Sequence, residues 1–262
     1  MLVVIAAFKG YVIEATDGRM GTVSEFLFDD RTWKIRWLVV DTGNWLMGRK
    51  VLVHPSAISK VDYEHRELNV ALTTAQVEAS PDIRSDQPVS RQAELTVYDY
   101  YGWSPLWGGD DYFVGGQGIG AGGIGVPVSA PPLFGAGSHP TDDVSLAGDA
   151  ADPHLRSTAE VTGYHVHATD GAIGHVENLL MEDASWSIRY VIVDTRNWWA
   201  GKHVLISPYA VTAISWEAHD IHLNVSRDKV NTSPAWDPLA MIDQVYEKKL
   251  HHHYNWPGYS FY

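Results

Sequence analysis

The chain opens on eight apolar residues, Met1–Phe8, and then breaks into short segments whose apolar positions recur at spacings of strands rather than helices. Gly10–Ala15 and Met20–Phe28 flank Thr16-Asp17-Gly18-Arg19, a hairpin signature. Lys34–Val40 and Lys50–Val53 are β-branched and aromatic runs, separated by the turn residues Thr42-Gly43-Asn44. Leu68–Leu72 is a last short strand, and Thr73–Glu78 a helical turn. Five or six short strands in about 80 residues, with turns every eight to twelve, predict a small closed β-barrel. The opening run is too short to span a bilayer and lacks the basic flank of a signal peptide, so it predicts a buried first strand.

The same texture returns later. Shifted by 153 residues, the chain matches itself without a gap from Gly10 to Pro81, and about half the positions from Gly10 to Ala57 are identical. Ala15-Thr16-Asp17-Gly18 meets Ala168-Thr169-Asp170-Gly171, and Val40-Asp41-Thr42 meets Val193-Asp194-Thr195. The expected organisation is a first barrel at 1–81, a spacer at 82–153, a second barrel at 154–234, and a short helix with an aromatic tail at 235–262. The repeats are expected to fold separately. Val97–Trp103 echoes His253–Tyr259, three residues out of step with the main repeat. Gly108–Pro153 is rich in Gly, Pro and Asp and predicts a flexible tether.

Charge narrows the partner classes. The net charge is −13; residues 82–153 hold 2 basic and 10 acidic groups and supply most of it. No segment is basic enough to attract a phosphate backbone or an anionic bilayer, which disfavours nucleic acid and membrane surface. The chain has no cysteine, which removes disulfides, thiolate metal sites and cysteine nucleophiles. Phe113–Gly137 is uncharged, but its glycines and prolines argue against a spanning helix. The expected location is the cytoplasm.

Both copies carry G-Y-x-[VI]-x-A-T-D-G-x-x-G, then I-R-[WY]-[LV]-[VI]-V-D-T-x-N-W-x-x-G-[RK]-[KH]-V-L-[VI], then a Pro-led turn before the short strand. This ordered set resembles the PRC-barrel family. The resemblance implies an all-β fold of two small PRC-type β-barrels joined by the Gly/Pro/Asp-rich spacer, with short terminal helical segments. It also implies a non-enzymatic role. Family members include the cytoplasmic domain of the photosynthetic reaction-centre H subunit, which caps a membrane complex, and the C-terminal domain of the ribosome-maturation factor RimM, which docks on a ribosomal protein. The H subunit's membrane helix and the RNA-maturation domain of RimM have no counterpart here, and the chain is closer to stand-alone proteins with two such barrels.

Candidate residues fall into three groups. Asp17, Gly21, Asp41 and Gly48, with their partners Asp170, Gly174, Asp194 and Gly201, read as turn and close-approach positions: carboxylates accepting backbone N–H groups, and glycines permitting positive φ or close strand contact. Arg36 and Arg189 read as surface salt-bridge partners of Asp29 or Asp30 and of Glu182 or Asp183. Trp198 and Trp199 are candidates for a contact surface, since Leu46 stands at the place of Trp199 in the first copy. His165 and His167 share a strand face and His175 lies across the turn, so three imidazoles are candidate zinc ligands. The first copy has Val12, Glu14 and Thr22 there, which makes any such site no property of the fold. His251-His252-His253 point in different directions on a helix and form a poor metal site, and the tail after them is expected to dock on the second barrel.

No nucleophile elbow, zinc-protease helix or P-loop is present. The reading is a non-enzymatic interaction or assembly protein without cofactor or metal. Its partner is a protein; direct membrane insertion is not expected, and association with a membrane complex stays open. Two alternatives stand beside it: an accessory protein of photosynthetic electron transfer related to the H subunit, and a metal-dependent enzyme using His165, His167 and His175. The added histidines of the second copy also predict partner binding that responds to pH near 6.5.

Overall fold

The computed structural model describes residues 1–46, 48–81, 91–103, 152, 154–195, 202–238 and 242–258. The fold is mostly β and consists of two seven-stranded sheets. The first repeat contributes β1 (Leu2–Val4), β2 (Val12–Ala15), β3 (Gly18–Asp29), β4 (Ile35–Asp41), β5 (Lys50–Val53), β6 (Ile58–Asp62) and β7 (Glu67–Val70). The second contributes β8 (Leu155–Ser157), β9 (His165–Ala168), β10 (Gly171–Glu182), β11 (Ser187–Asp194), β12 (His203–Ile206), β13 (Val211–Ser215) and β14 (Asp220–Leu223). Short helices α1 (Thr74–Glu78) and α4 (Arg227–Asn231) follow the last strand of each repeat, and α3 (Thr158–Val161) follows β8. The two longest, α2 (Arg91–Tyr101) and α5 (Gln244–Tyr254), lie near the end of each repeat.

Within each repeat the strands run in one order, β5-β4-β3-β2-β7-β6 and β12-β11-β10-β9-β14-β13. Among the described residues the end strands of each path are not paired with each other, so the hydrogen-bonded sheets are open where closed barrels were expected. The tight approach at the top of the long hairpin explains two glycines. A Cβ on Gly21 would lie 2.2 Å from the Asp41 carbonyl oxygen, and one on Gly174 2.0 Å from that of Asp194.

The seventh strand of each sheet comes from the other repeat. β1 pairs antiparallel with β10, Leu2 opposite Glu182, and β8 pairs with β3, Leu155 opposite Asp29. The two registers are equivalent under the 153-residue shift, so the exchange is reciprocal. After crossing, each chain segment turns back: Phe8 packs on Tyr11 and Phe26 of its own repeat, with ring centroids 5.0 and 6.0 Å away. Trp33 and Trp186 hold left-handed backbones, φ 56° and 53°. The Trp186 carbonyl accepts from Ile35 N–H at 2.8 Å and the Trp33 carbonyl from Ile188 N–H at 2.7 Å. One continuous core joins the halves, from Ile5 and Phe26 through Met181 and Ile188. The repeats are thus not self-contained units laid side by side: the three-residue strand opening each copy, Leu2–Val4 or Leu155–Ser157, finds its edge on the other sheet.

The first unit also extends past Pro81. α2 covers the outer face of its sheet, where Val97 and Tyr98 bury Trp37, Val39 and Leu52. The helix is amphipathic, so residues 91–103 belong to the folded unit rather than to a spacer. The expected tether at 108–153 lies outside the described residues, apart from Asp152. None of the described helices is long and apolar enough to cross a membrane.

Candidate functional site

The reciprocal exchange creates two seams, and one of them opens into a groove of about 820 Å³. Its walls come from the turn after β3, from the start of β8, from the β10–β11 hairpin and from β13. Asp30 is the hub of one wall. It accepts from Arg156 Nε at 2.5 Å and contacts His154 Nδ1 at 2.9 Å. The Arg156 guanidinium also lies 4.0 Å from the centroid of the Trp216 ring. On the facing wall Arg189 donates to Glu182 at 2.7 Å, and Ser185 donates to the other oxygen of that carboxylate at 2.6 Å. Both acidic groups are therefore taken by arginines. Arg31 is exposed and makes no ion pair among the described residues, and Tyr209, 47% exposed, also lines the groove. The arrangement offers cationic donors, hydroxyls and an aromatic face, a chemistry of recognition for a polar chain.

The other seam is built from the equivalent positions, and its carboxylate is bound differently. Asp183 stands where Asp30 does, but its carboxylate binds the Met1 ammonium and accepts from Tyr63 Oη. Ala184 replaces Arg31, Val3 replaces Arg156, Ser56 replaces Tyr209 and Tyr63 replaces Trp216. The core residues of the two seams correspond, and their solvent-facing residues do not.

A second polar centre lies under each long helix. Arg36 is 1% exposed and meets Asp152 at 2.8 Å, Asp29 at 3.4 Å and Glu94 of α2. Glu94 also accepts from Trp37 Nε1. In the second repeat Tyr190 donates to Glu247 of α5 at 2.8 Å, and its oxygen contacts His251 Nε2 at the same distance. His251 Nδ1 donates to the Pro257 carbonyl at 2.6 Å, which fixes the tail against the helix. Burial lowers the His251 pKa, opposed by the Pro257 bond and Glu247. Burial and then the Arg36 charge lower that of His54, which packs on Trp37 and Tyr98, to about 4. The expected surface salt bridge of Arg36 is corrected: α2 roofs it over. Arg189 keeps its expected partner, Glu182, but it is buried by the packing around β11, so its pair is not a surface one either.

The sequence candidates are placed as follows. Asp17 accepts from Thr74 N–H at 2.7 Å and Asp170 from Arg227 N–H at 2.7 Å, so each ties the hairpin to a short helix start. Asp41 accepts from Gly43 N–H at 2.8 Å. Asp194 is buried, with His175 Nε2 at 3.6 Å. Gly48 has φ 75°. Gly201, Trp198 and Trp199 lie outside the described residues. The three histidines take separate partners: His175 lies opposite His165 across the hairpin, His167 contacts Asp220 at 3.2 Å and stacks on His222 with centroids 5.3 Å apart. They do not converge, and among the described residues no group of three metal-ligating side chains forms. None of them lines the groove.

Glu94, Asp152, Glu247, His251 and the groove itself were not found from the sequence. The signal for the helices was present: at a constant shift of 153, Glu94 meets Glu247, Tyr101 meets Tyr254 and Trp103 meets Trp256. Tyr101 stacks on Trp103 at 4.3 Å and Tyr254 on Trp256 at 4.1 Å. Gly102 and Asn255 between them are both left-handed, φ 67° and 59°. The tail echo is therefore in step with the repeat, not three residues out.

Residues 11–77 match the PRC-barrel domain family. No curated protein matches the chain.

Proposed function

With residues 11–77 forming a PRC-barrel domain, we propose that the chain is a non-enzymatic interaction and assembly protein, built from two PRC-type barrels that share exchanged strands, and that it docks a protein partner in the groove between them. The observation that carries this reading is the divergence of the two seams. Asp30/Asp183, Trp33/Trp186 and Ile35/Ile188 are kept between repeats, while Arg31, His154, Arg156 and Tyr209 line the groove and have Ala184, Met1, Val3 and Ser56 at their places in the other seam. Selection on packing alone gives no reason for that asymmetry, whereas an interface enriched in arginine and aromatic residues does.

The test is partner retention by the full chain. Affinity capture from native lysate is compared between the wild-type protein and an Arg31→Glu/Tyr209→Ala variant. Both side chains are exposed, so circular dichroism and melting temperature stay unchanged. A partner retained by wild type and lost from the variant supports the reading. Partners retained equally by both place docking elsewhere.

A further inference from the structure

Resting on the docking reading, we infer that the occupant of the groove is an acidic, extended segment of the partner, which adds as a strand to the edge of β13. The first observation is geometric. Val211, Thr212, Ala213 and Ile214 all line the groove. Successive strand residues point to opposite faces, so a cavity touching four in a row runs along the strand's edge and not over one face. β13 ends its sheet, and among the described residues no strand pairs with its outer edge. The groove thus flanks a row of backbone donors and acceptors suited to strand addition.

The second observation is the contrast with the equivalent edge. β6 ends the first sheet and reads Ile58-Ser59-Lys60-Val61-Asp62, with Lys60 64% exposed on its side chain and paired to Asp62 at 2.9 Å. A charged lysine on a terminal strand is a common guard against pairing. β13 reads Val211-Thr212-Ala213-Ile214-Ser215 and carries no charge. One edge is guarded and the other is open, and the open one is the one that borders the groove.

The third observation sets the sign of the occupant. On a chain of net charge −13, this groove is lined by Arg31, Arg156 and Arg189 against Asp30 and Glu182. Each of those carboxylates is already bound by an arginine, so the rim cation Arg31 is left without an acidic partner among the described residues. An incoming strand with carboxylates on alternate residues meets these cations on one side while its backbone pairs with β13. A lysine-bearing strand meets the same cations with repulsion.

The experiment uses the full chain and three labelled hexapeptides, read by fluorescence anisotropy. One alternates Glu with Val, one alternates Lys with Val, and one is the Glu–Val peptide N-methylated at alternate amides on its pairing edge. The Glu–Val peptide is expected to bind saturably and about ten-fold or more tighter than the Lys–Val peptide, and Arg31→Glu is expected to weaken it about ten-fold. The N-methylated peptide keeps every charge but cannot pair, and is expected not to bind. Equal binding of the N-methylated peptide, equal binding of the Lys–Val peptide, or no saturable binding of Glu–Val up to about 1 mM would overturn strand addition. A protein partner that still depends on Arg31 and Tyr209 under any of those outcomes would leave docking at the groove standing, so the two readings fail separately.

Discussion

The two repeats have the same strand order and the same exchanged register, yet each buries its polar chemistry in a different way. Under α2, a permanent cation, Arg36, is surrounded by Asp29, Glu94 and Asp152 and almost sealed from water. Under α5 the matching arginine sits at the groove with a half-buried glutamate, and the helix is held by a Tyr190–Glu247–His251 chain. The difference teaches that the helix-docking glutamate, Glu94 or Glu247, is the fixed requirement, and the donor it takes is free to change. The donor common to both docks is the residue after the arginine, Trp37 on Glu94 and Tyr190 on Glu247.

The largest expected contrast follows from Arg36 and Arg189. Arg36→Met strands three carboxylates in a buried site and should cost about 3–5 kcal/mol in urea unfolding. Arg189→Met removes the partner of a carboxylate that water still reaches, and should cost about 1 kcal/mol. Equal losses would erase the distinction between the two helix docks.

A pH series sharpens it. The unfolded chain protonates His54 near its ordinary pKa of about 6.5, while the folded chain resists until about 4. Folded stability therefore falls as pH drops through that window, by on the order of 3 kcal/mol, and the contribution is intact above it. His54→Ser, which copies Ser207 of the second repeat and keeps the cap on the following turn, should flatten that slope. An unchanged slope would move the titration to other groups. His251 has the same sign, its pKa lowered by burial.

The smallest expected effect concerns the seams. Arg156→Val copies Val3 and removes both the Asp30 pair and the stack on Trp216, for about 1 kcal/mol. The reverse change, Val3→Arg, should gain nothing, because Asp183 is already occupied by Met1 and Tyr63. A gain there would show that Asp183 can take an arginine beside Met1 and Tyr63.

Much of this architecture was legible from residue order. Periodicity located β3, β4, β10 and β11, and the self-comparison located the second repeat, because strand faces and turns leave local marks. The strand exchange left none: Leu2–Val4 reads as a buried strand whichever sheet it joins, and its partner is settled by tertiary packing. The groove was invisible for the same reason, since Asp30, Arg156 and Val211 come from separate parts of the chain. Arg36 misled because a charged residue in a strand is ordinarily on a wet face, and the covering helix begins more than fifty positions later. Short helical stretches at Gln92–Val97 and Met241–Leu250 are legible in the sequence; the match of Glu94 with Glu247 emerges only when the constant shift is carried past Pro81.

The exchanged strands also set a clock. Synthesis delivers β3 by residue 29 but its partner β8 only at residue 155. At about 5–20 residues per second, that is a wait of about 6–25 s. During it the Leu27–Asp29 end of β3 emerges before the strand that covers it, and β1 waits longer still for β10. The nascent chain must spend that interval with the end of β3 uncapped, and the first sheet is completed only once the second repeat begins to emerge.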